Sequence, residues 1–97
     1  PERCVVEDAI AKYACGVIGE EVLDVTWLAA LAEMDGPTDG AMLPKTRTLG
    51  AILLDMGYEQ VDGRRLWIGK TKRFHYVWQR AFEGDAKDVV KAYHDGA

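Results

Sequence analysis

The chain contains no serine, only three prolines and two cysteines, and no apolar run near the length that crosses a bilayer. Without serine there is no serine nucleophile, and neither Cys4 nor Cys15 stands beside a recognisable base. Two cysteines build no disulfide framework; on a first helix they can share one face, reduced and packed. No charged-then-apolar leader opens the chain, so a cytoplasmic location is expected. Cys4, Cys15, His75 and His94 form no Cys-x-x-Cys or His-x-x-x-His pair, and structural zinc sites depend on such local pairs. No metal centre is therefore expected, and His75, alternating with packing residues, reads as a wing or core-edge histidine. Glu20 and Glu21 are adjacent and point in different directions, which makes them poor partners for acid–base work on one bond. Gly69-Lys70-Thr71 does not complete a phosphate loop, because the motif wants a glycine where Arg64 stands and a helix where Lys72 to Trp78 is strand-like. The expectation is a protein without cofactor or enzymatic activity.

What is present is an ordinary globular composition, 97 residues with 48% hydrophobic and 29% charged, enough for one domain with a modest core. A chain that opens on Pro1 with no Met is expected to be a piece of a longer protein. The net charge of -4 conceals a division. Residues 1–43 carry two bases (Arg3, Lys12) against nine acids; residues 44–80 carry eight bases against three acids; residues 81–97 carry two against four. An acidic body with one basic stretch suits a single-faced polyanion binder, since the distant acids orient the ligand; the alternative is a solvated surface with clustered charges.

Along the chain, residues 5–15 place Val6, Ala9, Ile10 and Tyr13 at helical spacing, with Gly16 as a stop. Val22 to Val25 is a strand or the first turn of a helix, and Thr26 reads as the N-cap of Trp27 to Met34, ended by Asp35-Gly36-Pro37. Pro44 suits the first turn of a third helix reaching Met56, whose apolar stripe is Leu49, Ile52, Leu53 and Met56, with Gly57 just past its end. Gly50, in its middle, offers close approach to another helix. The period then alternates: Asp62-Gly63 reads as a tight turn between Tyr58–Val61 and Arg65–Ile68, and Phe74 to Trp78 as a further strand, giving a hairpin or a three-stranded meander. In either pairing Lys70, Lys72 and Arg73 sit at a loop tip. Trp67, Phe74, Tyr76 and Trp78 are core residues or stacking platforms for unpaired bases. Asp85 caps a last helix with Ala86, Val89, Val90 and Tyr93 on one side.

Helix, short strand, helix, turn, helix, hairpin is the order of a winged helix, an α+β helix-turn-helix with a β-hairpin wing, in which Val22 to Val25 would pair with the wing strands. The expected organisation is a single winged-helix domain over residues 1–97, with residues 81–97 as a C-terminal helical tail. Over residues 5–80 the chain resembles the C-terminal winged-helix region of the virulence-associated protein E family and related phage and plasmid primase/helicases. The resemblance rests on Asp24-Val25-Thr26-Trp27-Leu28, on Arg47 through Tyr58, and on Val77-Trp78. It implies a DNA-binding module, duplex DNA as partner, and helicase or primase domains upstream in the same polypeptide. By motif position Lys45, Thr46, Arg47 and Thr48 begin the reading helix, with Arg47 and Thr48 reading bases. Arg64, Arg65, Lys70, Lys72 and Arg73 contact DNA from the wing. The rival classes are a protein-interaction module and a transcriptional regulator.

Overall fold

Alternation in β3 (Arg73–Gln79) sends His75 and Val77 to one side of a sheet and Phe74, Tyr76 and Trp78 to the other, and the rest of the chain packs according to that division. The structure, a computed structural model, describes residues 2–14, 18–35 and 43–96, the side chains of residues 35 and 62–64 excepted. Among these residues, four helices and a three-stranded antiparallel sheet form one small α+β domain, in the order α1 (Glu2–Tyr13), β1 (Val22–Asp24), α2 (Val25–Asp35), α3 (Thr46–Asp55), β2 (Glu59–Ile68), β3, α4 (Ala86–Gly96). The strands lie in the order β1-β3-β2. Helices α1, α2 and α3 cover one face through Val6, Ile10, Leu28, Leu49 and Leu53, closing over Leu23, Tyr58 and Trp78. Helix α4 covers the other through Ala86 and Val90, against Val22, Ile68 and Val77.

Several local expectations are corrected. Val22 to Val25 pairs as expected with the hairpin over its first three residues, opposite β3, and only Val25 departs, beginning α2. Asp24, not Thr26, caps that helix, its Oδ1 accepting the Trp27 amide at 3.1 Å. Thr26 is free for another task, and its hydroxyl accepts the Tyr76 amide at 3.0 Å, tying α2 to β3. Pro44 precedes the helix, with Lys45 at the N-cap and no side-chain cap there. Asp62-Gly63 is no hairpin turn. Strand β2 runs through it, with Gln60 opposite Trp78 and Arg65 opposite Tyr76, so the extra residues are absorbed as a bulge. The third strand that a meander would have supplied comes from β1. Cys15, Gly16 and Gly36-Pro37, read above as a packed thiol and helix ends, lie outside the described residues; Cys4 is exposed on α1.

Gly57 takes a left-handed φ of 93°, ending α3 as its place in the sequence suggests. Gly50 approaches the Trp78 ring rather than a helix, and a Cβ there would lie 3.6 Å from Trp78 Cζ2, ordinary contact. Gly50→Ala is therefore expected to stabilise the domain by about 1 kcal/mol, read as a raised urea midpoint with unchanged slope.

Candidate functional site

Two places carry chemistry: the basic and aromatic surface around α3 and the β2–β3 hairpin, and a buried polar cluster under α4.

On the surface, Lys45, Thr46, Arg47 and Thr48 are all exposed at the start of α3. The amides of this first turn point outward with the positive end of the helix, so anionic groups are favoured there. Strands β2 and β3 meet in a turn at residues 69–72, closed by the Lys72 amide on the Ile68 carbonyl at 2.9 Å, with Lys72 itself in the left-handed region at φ 55°. Lys72 and Arg73 are exposed at this tip. Lys70 turns toward α4, where its ammonium donates to the Asp95 carbonyl at 3.2 Å. Arg65 lies farther back on β2, its guanidinium 4.4 Å from the centre of the Phe74 ring. The side chain of Arg64 lies outside the described residues.

A groove of about 370 Å³ joins these parts. Arg47, Gly50 and Leu54 of α3 form one wall, and Gln60, Tyr76 and Trp78 of the sheet the other. Arg65 stands opposite Tyr76 in register. Arg47 and Arg65 are thus brought to the two sides of one tyrosine, although eighteen residues separate them in the chain. Among the described residues, the groove is lined by one guanidinium and no carboxylate. Glu7 is engaged elsewhere, on Arg3, and Arg3 also reaches Asp55 at the far end of α3.

The buried cluster joins β1, β3 and α4. Asp24 Oδ2 accepts from His75 Nδ1 at 2.6 Å and from His94 Nε2 at 2.9 Å, and all three side chains are essentially removed from solvent. Trp27 meets the His94 ring edge-on at 5.5 Å. His75 Nε2 lies 2.6 Å from Thr71 Oγ1, which is also 3.0 Å from the Ile68 carbonyl. A neutral His75 that gives its Nδ1 proton to Asp24 has a lone pair at Nε2, so the Thr71 hydroxyl donates to it. Protonation of Nε2 reverses that bond and turns the hydroxyl to Ile68. Burial holds the His75 pKa below its ordinary value; the Asp24 carboxylate and its hydrogen bond oppose this, while His94 and Arg73 add to it. No buried side-chain polar atom among the described residues lacks a partner.

Three ligand-type atoms within 4.8 Å of one another invite a metal reading. Tetrahedral zinc with nitrogen and oxygen ligands separates those ligands by about 3.3 Å, whereas the carboxylate oxygen here is 2.6 and 2.9 Å from the two nitrogens, the distances of N–H···O bonds. Hydroxyl, imidazole and carboxylate also stand in the order of a nucleophilic triad. Here the carboxylate is shared with a second imidazole and the base is wholly enclosed, an arrangement suited to fastening α4. The sequence reading of His75 as a core-edge histidine missed this partnership. The available signal was an aspartate inside the apolar run Val22 to Val25 and a histidine four residues beyond Val90 on the inner stripe of α4. Among the described residues, no helix is long and apolar enough to cross a membrane. Compared with protein-family models, curated proteins and solved structures, the chain matches none.

Proposed function

We propose that the chain is a winged-helix nucleic-acid-binding module without enzymatic activity, in which α3 is the reading helix and the β2–β3 hairpin the wing. The order α1-β1-α2-α3-β2-β3 and the strand order β1-β3-β2 support this assignment. The observation that carries the functional reading is the continuity of the groove from Arg47 to Tyr76, free of carboxylates among the described residues, with Arg65 beyond it. Attachment to helicase or primase domains of a mobile-element replication protein rests on the resemblance of Asp24 to Leu28, Arg47 to Tyr58 and Val77-Trp78 alone. Lys45, Lys72 and Arg73 are assigned to phosphates, Arg47 and Thr48 to base edges, and Lys70 to orienting the wing against α4.

With three phosphate contacts, affinity for DNA is expected to fall by about one and a half orders of magnitude between about 50 and 200 mM salt. Lys45→Ala is expected to weaken binding and reduce the salt slope by about one, and Lys72→Ala with Arg73→Ala by about two, measured by fluorescence anisotropy on labelled DNA. A protein-interaction module is favoured by one observation, the 60% exposure of Leu54 beside the same groove. It predicts no DNA binding at either salt concentration and no effect of these substitutions on DNA.

A further inference from the structure

The outer face of the β2–β3 hairpin is aromatic where an ordinary solvated strand face is polar. Trp67, Phe74 and Tyr76 are 49%, 43% and 38% exposed, and the register makes them contiguous: Trp67 faces Phe74 across the strands, and Arg65 faces Tyr76. Trp67 and Phe74 meet edge to face at 5.0 Å. The next aromatic of the same face, Trp78, is buried beneath α3, so the strip passes from the covered part of the sheet onto open surface. Burial of the alternate residues His75 and Val77 fixes which way these rings point, and the Thr26 bond to the Tyr76 amide holds the strand beneath them. Cations accompany the rings: Arg65 over Phe74, Arg47 across the groove from Tyr76, and Lys72 at the turn.

We infer that this face binds unpaired nucleotides, their bases stacking on Trp67, Phe74 and Tyr76 and their phosphates meeting Arg65 and Lys72. The inference rests on the nucleic-acid reading above and specifies strandedness. A duplex keeps its base faces stacked inside and presents phosphates, which the cations alone satisfy. Open rings interleaved with guanidinium groups instead match the alternation of base and phosphate along a single strand, whatever its sequence. The shared chemistry covers DNA and RNA.

The test is a titration of oligo-dT, oligo-U and a mixed-sequence duplex of equal length at about 50 mM salt, followed by anisotropy and by tryptophan fluorescence. Single strands are expected to bind at least about tenfold tighter than duplex and to quench tryptophan emission. Trp67→Ala and Phe74→Ala are each expected to cost about tenfold or more on single strands and little on duplex. Trp67→Phe, which keeps a stacking face, retains most of the affinity while losing most of the quenching. Comparison of oligo-dT with oligo-U separates DNA from RNA as the strand taken. Duplex binding equal to or tighter than single-strand binding, with the aromatic variants unaffected, overturns the inference and leaves the nucleic-acid reading standing. Absence of binding to every oligonucleotide overturns both. Should the wild type then sediment as a dimer that Trp67→Ala dissociates, the face is a contact between copies of the chain.

Discussion

Asp24→Ala is expected to cost about 3–5 kcal/mol, a large part of the 5–15 kcal/mol typical of a domain, and to be the most damaging single substitution described here. The change removes the common acceptor of two buried imidazoles and, through Oδ1, the cap of α2. Two imidazole N–H groups lose their partner in a place water does not reach, unsatisfied donors of this kind costing about 1–3 kcal/mol each before the structure relaxes, and the half-buried Trp27 amide loses its cap. Asp24→Asn is expected to be milder. Its remaining oxygen accepts one N–H, and an imidazole that changes tautomer accepts from the new amide. Asp55→Ala provides the contrast: its carboxylate also binds a cation, Arg3, but both side chains are more than half exposed, so the loss is expected to stay below about 1 kcal/mol. Urea unfolding of the three variants checks the ranking, and hydrogen exchange locates the damage, with α4 amides expected to lose protection first in Asp24→Ala. Equal costs for Asp24→Ala and Asp55→Ala would refute the clamp.

The second large expectation is loss of stability in mild acid. His75 is wholly enclosed and its pKa is held below the ordinary value, so the unfolded chain takes up a proton before the folded chain does. The contribution is flat above about pH 6.5 and declines as pH falls below it, with a slope of at most about 1.4 kcal/mol per pH unit for one group, levelling off once the folded form is protonated too. The groups that face His75 are Asp24 from β1, His94 from α4 and Arg73 on its own strand; only the carboxylate favours the charged form. His75→Gln, which preserves a donor but does not titrate, is expected to lose stability at neutral pH and to show a shallower decline between about pH 7 and 5. Unfolding curves at closely spaced pH values measure both. A wild-type stability that rises on acidification through this range would reverse the assigned sign. Because Thr71 answers the protonation of His75 and lies in the turn that carries Lys72, the same acidification acts at the tip of the hairpin.

Local period and local chemistry made α3 legible: Leu49 and Leu53 are buried, Ile52 and Met56 pack beside them, and Gly57 ends the helix. The cationic turn at residues 69–72 was legible for the same reason. Asp62-Gly63 misled because a dipeptide suited to a turn does not decide whether the neighbouring strands pair with each other or with β3, and here a bulge absorbs it. The inner face of α4 was displaced slightly from expectation. Ala86, Val90 and His94 are the buried set, while Val89 and Tyr93 are only half-buried, because a histidine counted as polar was excluded from an apolar stripe. The groove cations could be named from the sequence, but their meeting around Tyr76 depends on the register of β2 against β3.

The Asp24 cluster also bears on the order in which the chain is made. Its two imidazoles come 51 and 70 residues after the carboxylate, one from β3 and one from the last turn of α4. On a ribosome the aspartate emerges early and waits, solvated, through the synthesis of α2, α3 and the hairpin. The first histidine seats the hairpin, and only the second completes the cluster. Helices α1, α2 and α3 can collapse before that, yet the domain acquires its full stability late, when His94 clears the exit tunnel.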